Sequence, residues 1–292
     1  MLLRRLVPAS LALTVALAGL SGCASAGGSE KPQVVASFYP LQYVAERIVG
    51  DHAEVLNLTK PGVEPHELEL SPRQTASLST AEVVLYEKGL SPAVDEAIGN
   101  DAPKQAVDAA SVVGLHKGDG GVDPHFWLDP TLLAKTATAF SEAMQKADPD
   151  HAADYQRNGV RLHKDLLALD GEIRGALADC RIRTLVVSHD AFEYFARRYG
   201  LTVDAIAGLS PDAEPSAKRL SDLADLVREK GVTTIFSERL LSPRVAETLA
   251  GEAGVRTEVL DPLEGLAKGS KEDYVSLMRE NVQTLRAAGE CA

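Results

Sequence analysis

The sequence predicts an α/β protein of two lobes, each with a mainly parallel sheet, joined by one long rigid helix. Short apolar, β-branched runs alternate with helical patterns, which is typical of βα units and parallel sheets. The second half of the chain repeats this alternation. Between the halves, residues 150–178 keep helical spacing without an interior proline. Two such halves around one helix predict a cleft between the lobes.

Length and charge narrow the possible functions. A chain of 292 residues is long enough for two lobes, each with its own core. The net charge is −12, and no basic patch is visible in the sequence. Because binding to phosphate backbones needs such a patch, nucleic acid is excluded as a partner.

The N-terminus has the pattern of a targeting segment. Residues 1–22 combine Arg4 and Arg5 with a short apolar stretch and end in small residues before Cys23. This ending resembles a bacterial lipobox, which implies cleavage before Cys23 and a diacylglyceryl anchor on its sulfur. The alternative is plain secretion with a free cysteine. Residues 23–32 are small and polar and predict a flexible tether, so the protein is expected outside the cytoplasmic membrane, attached to it through lipid.

The N-terminal lobe is predicted to span residues 33–148. Its apolar runs predict strands at residues 33–37, 54–58 and 81–86. Its periodic apolar positions predict helices at residues 39–49, 71–79, 92–98 and 131–146. Residues 115–122 contain three glycines and predict a flexible loop.

The connecting helix is assigned to residues 149–179 and the C-terminal lobe to residues 180–292. The lobe contains predicted strands that end at His189, Ile206, Glu238 and Asp261. Its predicted helices cover residues 191–199, 216–230, 242–251 and 271–287. Cys180 and Cys291 are the two cysteines left after Cys23, and an even pair in an oxidising compartment favours a disulfide. The alternative is two buried thiols.

Candidate metal ligands follow strands and prolines. His189 and Asp261 each stand at the carboxyl end of a predicted strand, and ligands of open α/β sheets bind beyond these ends. His66 and His125 each follow a proline in a short polar turn. Three imidazoles and one carboxylate on separate loops predict a metal site in the cleft.

The chemistry of this set favours zinc and binding. Imidazole nitrogens suit zinc better than magnesium or calcium, and four protein ligands fill a tetrahedral shell. The sequence has no His-Glu-x-x-His helix, no Gly-x-Ser-x-Gly elbow and no phosphate-binding glycine loop, so an enzyme is not expected. Glu238 is assigned an orienting role beside a ligand. Trp127 either packs over the site or is an ordinary core residue.

Five motifs in one order resemble a known family. They cover residues 36–40, 64–67, 123–130, 188–192 and 261–263. Together they resemble the zinc and manganese solute-binding lipoproteins of bacterial ABC transporters, over nearly the whole mature chain.

The resemblance implies two α/β lobes joined by a long helix, with the metal buried between them. His66 and His125 would come from the N-terminal lobe, and His189 and Asp261 from the C-terminal lobe. The bound metal would be delivered to a membrane permease, and we expect a monomer. Manganese-preferring members tend to have a carboxylate at the third position, so His189 favours Zn²⁺, with Mn²⁺ as the second choice.

Two other functions stay open at this point. A surface-anchored zinc hydrolase would use the three histidines with a water in place of Asp261. An adhesin would use the metal only to hold its fold.

Overall fold

A computed structural model describes residues 31–100, 103–118 and 120–292, and residues 31–292 form one compact unit. The predicted signal peptide, Cys23 and most of the tether lie outside the described residues. Of the helices within the described ranges, none is both long enough and apolar enough to cross a bilayer.

The N-terminal lobe is built on a four-stranded parallel sheet. In chain order its strands are β1 (Gln33–Ala36), β2 (Glu54–Asn57), β3 (Val83–Tyr86) and β4 (Ala106–Asp108). Their spatial order is β2-β1-β3-β4. The helices of this lobe are α1 (Tyr39–Val49), α2 (Pro72–Thr80), α3 (Pro92–Asn100), α4 (Ala109–Val113) and α5 (Pro130–Ala147). Helix α2 begins within one residue of its predicted start, and Ser71 caps it and forms a capping box with Gln74.

Helix α6 (Ala152–Ala176) follows α5 and is the long helix predicted between the halves. Its 25 residues correspond to about 37 Å. Gly159 does not break the helix but lets it approach α5 closely, since a Cβ there would lie 2.6 Å from Ser141 Cβ. Asp170 fastens α6 to the C-terminal lobe: Arg198 donates to both of its carboxylate oxygens, at 2.8 and 2.7 Å.

The C-terminal lobe holds a second four-stranded parallel sheet. Its strands are β7 (Thr184–Val187), β8 (Thr202–Ala205), β9 (Thr234–Ser237) and β10 (Arg256–Val259). Its helices are α7 (Glu193–Tyr199), α8 (Ala217–Lys230), α9 (Arg244–Ala253) and α10 (Tyr274–Gly289). Glycines 200, 231 and 254 end three of these helices in the left-handed conformation.

The two sheets share one topology. The spatial order β8-β7-β9-β10 repeats the order β2-β1-β3-β4 of the first sheet, strand for strand. In this order the chain reverses direction across the sheet between the first and third strands, and ligands of such sheets bind there. The predicted fold class, two parallel-sheet α/β lobes, is confirmed.

Three local features differ from the sequence predictions. The short strand β4 and helix α4 were not predicted, since each is too short to show a period. The loop at residues 115–122 contains a small antiparallel hairpin, β5 (Lys117–Gly118) and β6 (Gly121–Val122). Helix α7 begins at Glu193 rather than at residue 191, because residues 189–192 form the turn that carries a site histidine.

A single large apolar cluster includes buried side chains from both sheets and from α6 and α10. Cys180 and Cys291 form a disulfide that joins the chain after α6 to the chain after α10. The lobe boundaries at residues 148 and 180 stay predictions, as does the monomeric state.

Candidate metal centre

Four side chains converge at one point between the two sheets: His66, His125, His189 and Glu264. The Nε2 atom of His125 lies 3.3 Å from Nε2 of His66 and 3.3 Å from Nε2 of His189. Oε1 of Glu264 lies 3.4, 3.2 and 3.2 Å from Nε2 of His66, His125 and His189, respectively. His125 and His189 are fully buried, and the His66 side chain is 10% exposed.

Five of the six distances among these four atoms are 3.2–3.4 Å, and these five match the edges of a tetrahedral metal shell. Four atoms at the corners of a regular tetrahedron with an edge of about 3.3 Å lie about 2.0 Å from its centre, which is the length of Zn–N and Zn–O bonds in proteins. The four atoms therefore have the number and the chemical type that a zinc ion needs, and these five distances have the required length.

His66 and His125 are each held by a turn of the same kind. In Glu64-Pro65-His66 the backbone N–H of His66 donates to Glu64 Oε2 at 3.0 Å. In Asp123-Pro124-His125 the backbone N–H of His125 donates to Asp123 Oδ1 at 3.0 Å. An acidic residue, a proline and a histidine thus form a compact unit in which the acid closes the turn and the histidine faces the site.

Carboxylates also fix the ring orientation of the two buried histidines. Nδ1 of His125 lies 2.8 Å from Asp123 Oδ1, and Nδ1 of His189 lies 2.7 Å from Glu238 Oε1. Because a carboxylate accepts, each Nδ1 carries a proton, so in the neutral imidazole the lone pair of each Nε2 is directed to the site and is available to a metal. Glu238 follows β9 and stands beside His189, the position that the sequence predicted for an orienting residue.

The same contacts set the electrostatics of the site. Burial would lower the pKa of His125, but its hydrogen bonds with Asp123 and Glu264 outweigh burial and raise that pKa. For His189, Glu238 and Glu264 likewise overcome burial and raise the pKa well above its usual value. The three imidazoles hold the pKa of Glu264 well below its usual range although burial opposes this. The site thus attracts positive charge, either protons or a metal ion.

The structure does not bring Asp261 into this cluster, and this differs from the prediction of Asp261 as the fourth ligand. Asp261 Oδ1 accepts from the backbone N–H of Leu263 at 2.8 Å. Its other oxygen, Oδ2, accepts from Arg239 Nε at 2.8 Å. Both carboxylate oxygens are therefore occupied, and Glu264 is the carboxylate beside the three imidazoles.

A pattern in the sequence could have indicated Glu264. In Glu64-Pro65-His66 and Asp123-Pro124-His125, the acid closes the turn and the histidine two residues later faces the site. Asp261-Pro262-Leu263 is a third turn of this kind, so its acid would also be expected to close the turn. Glu264 is the next ionisable residue along the chain.

Glu64 and Asp123 are further functional residues that the sequence reasoning did not assign. Each closes the turn that carries a histidine. Burial and the neighbouring charge of Glu264 raise the pKa of Glu64 to about 8. Glu64 therefore adds little negative charge to the metal-free site at neutral pH.

Trp127 is completely buried and forms part of the wall of the site. Its ring centroid lies 5.3 Å from that of His125 and 4.7 Å from that of Phe38. Its indole N–H donates to the backbone carbonyl of Pro262 at 2.7 Å. Trp127 is thus both a core residue and a neighbour of the site.

Two parallel-sheet lobes with side chains between them that could hold a metal ion are typical of the class of metal solute-binding proteins. Residues 34–288 match the family model of the periplasmic zinc-uptake complex component A, and the chain belongs to this family. The resemblance predicted from the five motifs is confirmed.

Curated relatives and solved structures carry names of the same kind. The chain is 33% identical to the high-affinity zinc uptake system protein ZnuA of Bacillus subtilis, over 96% of this chain and 95% of that protein. It is 32% identical to the zinc-binding lipoprotein AdcA of Streptococcus pneumoniae, over 88% of this chain and 55% of that protein. The chain thus spans a little over half the length of the AdcA relatives that it matches.

Similar crystal structures include zinc-bound ones. The Zn(II)-bound ZnuA-like domain of Streptococcus pneumoniae AdcA has a TM-score of 0.78 and 33% sequence identity. The match covers 89% of this chain and 99% of that domain.

Proposed function

We propose that this chain is an extracytoplasmic zinc-binding protein that captures Zn²⁺ and delivers it to an ABC permease for import. His66, His125, His189 and Glu264 are its proposed ligands. The observation that carries the proposal is the convergence of three Nε2 atoms and one carboxylate oxygen at the spacing of a tetrahedral zinc shell. Lipid anchoring through Cys23 is part of the proposal and is supported by the relative that is named a lipoprotein.

The ligand set supports zinc over manganese. Three imidazole nitrogens with one oxygen suit zinc, whereas manganese favours shells that are richer in oxygen. Glu238 contacts Nδ1 of His189 and orients that ring. The carboxylate of Glu238 thus supports a nitrogen ligand and does not add an oxygen to the shell.

The same set supports binding rather than catalysis. A catalytic zinc keeps one position open for water, and a zinc hydrolase was the alternative in which water takes the fourth place. Glu264 Oε1 lies within 3.4 Å of all three Nε2 atoms and would fill that place.

Zinc affinity is expected to fall as the pH falls. The pKa values of His125 and His189 are raised in the folded, metal-free protein, so both imidazoles keep their protons to a higher pH than a free imidazole does. Zinc must displace these protons, and competition should begin above the ordinary histidine pKa of about 6.5. Between pH 7.5 and 6.5 we expect the apparent Kd to rise about 10–100-fold, which corresponds to one or two displaced protons.

Competition with a zinc chelator of known pH dependence, over the range from pH 5.5 to 8.5, measures this change. His163→Gln, a change at a histidine that contacts Thr138 outside the site, is the matched control and should follow the parent curve. An apparent Kd that is constant across the range would contradict the proposed histidine ligands.

Delivery to a permease predicts a growth phenotype. A strain that lacks the protein is expected to grow poorly when zinc is limiting and to recover when zinc is added. The parent gene should restore growth, and the His189→Ala variant should not, because it removes a proposed ligand. His163→Ala serves as the matched control.

Other outcomes of this experiment would favour the alternatives. A defect that manganese corrects and zinc does not would make the protein a manganese importer. Normal growth at low zinc, with a loss of attachment to surfaces, would contradict transport and favour an adhesin.

A further inference from the structure

We propose that Trp127, from across the lobe boundary, and Gly265, by its close packing against the opposite lobe, are positioning residues that place Glu264 in the metal site. Glu264 lies in a segment of residues 261–266, here called the Glu264 segment, which follows β10 of the C-terminal lobe. Two loops of the N-terminal lobe hold this segment at its two ends. The inference rests on the proposed function, because it assigns Glu264 to the metal.

The first contact is made by the loop that carries His125. The indole N–H of Trp127 donates to the carbonyl of Pro262 at 2.7 Å. Trp127 is itself fixed, since the Tyr274 hydroxyl donates to its backbone carbonyl at 2.6 Å. Trp127 and Tyr274 are fully buried, so water cannot replace the bond from the indole to Pro262 without a large change in packing.

The second contact is made by the loop that carries His66. The backbone N–H of Gly62 donates to the carbonyl of Leu266 at 2.7 Å. Beside this bond, Gly265 lies so close to the loop that a Cβ atom would be 3.1 Å from the carbonyl oxygen of Val63 and 3.2 Å from Leu240 Cδ1. A side chain at residue 265 would push the Glu264 segment away from the loop that carries His66.

The backbone between these contacts is strained. Leu263 has φ of 58°, in the left-handed region that residues other than glycine rarely adopt. Such a conformation persists only when the surroundings impose it. Asp261 imposes it from within the lobe by accepting from Leu263 N–H, and Trp127 imposes it from the other lobe through Pro262.

It follows that the carboxylate of Glu264 is positioned by the same two loops that carry His66 and His125. Displacing the Glu264 segment from either loop withdraws one ligand from the metal. Contacts that keep the segment in place therefore slow the dissociation of zinc, although they touch no metal.

The test measures the dissociation rate of zinc with a chelating dye in excess. Trp127→Phe keeps an aromatic ring and removes the N–H donor, and we expect zinc to dissociate about tenfold faster, as the loss of one buried hydrogen bond predicts. Gly265→Ala should also accelerate dissociation. Tyr155→Phe is the control, because it removes one hydrogen bond of a buried aromatic side chain, the partly buried bond to Asp148 at 2.6 Å, that is not part of the ligand loops. Its rate should equal that of the parent.

A double-mutant cycle separates positioning from a general loss of stability. If Trp127 acts through Glu264, the variant Glu264→Ala/Trp127→Phe should lose zinc at the same rate as Glu264→Ala alone. Rates that multiply would overturn the inference. So would unchanged dissociation in Trp127→Phe, and if that variant does not fold, unchanged dissociation in Gly265→Ala would overturn it equally.

The cycle also tells the two proposals apart. If Glu264→Ala loses zinc no faster than the parent, the assignment of Glu264 as a ligand fails. If Glu264→Ala accelerates the loss and the two positioning variants do not, only the further inference fails.

Discussion

Glu264→Ala should weaken zinc binding at least about 100-fold, whereas Asp261→Asn should weaken it about tenfold or less. Glu264 would supply a ligand atom, and its loss leaves three imidazoles and an open position. Asp261 is not a proposed ligand and affects the metal only through the position of Glu264. Its carboxylate closes the turn before Glu264 and pairs with Arg239. Asparagine keeps an oxygen that accepts from Leu263 N–H, so most of the turn should survive.

The two variants are matched because both remove one buried carboxylate from the same turn. Zinc affinity by competition with a chelating dye gives the ranking, and the unfolding temperature of each metal-free variant shows that it is folded. The reverse ranking, with Asp261→Asn the more damaging change, would return Asp261 to the ligand set and remove Glu264 from it.

Removing the disulfide should cost about 2–5 kcal/mol of the free energy of unfolding. Cys180 and Cys291 are 111 residues apart in sequence, so the bond closes a long loop in the unfolded chain and restricts that chain strongly. The bond also holds the chain after α10 against the chain after α6. In a chain of this size the loss corresponds to a fall in the unfolding temperature of about 10 °C.

Urea unfolding of Cys180→Ser, Cys291→Ser and the double variant measures the effect. All three should lose the same free energy, because either change removes the whole bond. A reducing agent should lower the stability of the parent to that of the double variant and leave the double variant unchanged. Equal stability of parent and double variant would contradict a structural role for the disulfide.

Much of the fold follows from patterns that the sequence displays over many residues. Helix α6 was predicted because four leucine and isoleucine residues keep helical spacing over a stretch without proline, and they are buried in the structure. The parallel sheets were predicted because apolar strands alternate with helices. Strand β4 and the hairpin of β5 and β6 were not, because two or three residues show no period and their pairing depends on distant neighbours.

Some residues of the site could likewise be predicted from the sequence and others could not. His66, His125 and His189 could be singled out because each directly follows a proline or a strand, and the structure brings them together. Its place after a strand ranked Asp261 above Glu264, and only the comparison with the two other acid-proline turns indicates Glu264. The contact from Arg239, which is 22 residues from Asp261 in sequence and occupies one of its oxygens, has no signal in the local sequence. The hydrogen bond from Trp127 to Pro262, 135 residues away, cannot be predicted from a local sequence pattern either.

The metal content of the purified chain tests the central claim most directly. The chain, stripped of metal, is dialysed against equal concentrations of zinc and manganese and then measured by mass spectrometry, with His189→Ala beside it. The account predicts about one zinc per parent chain, little manganese, and loss of zinc in the variant, as a filled tetrahedral shell requires. A parent chain that binds no metal, or that takes manganese in place of zinc, would contradict it.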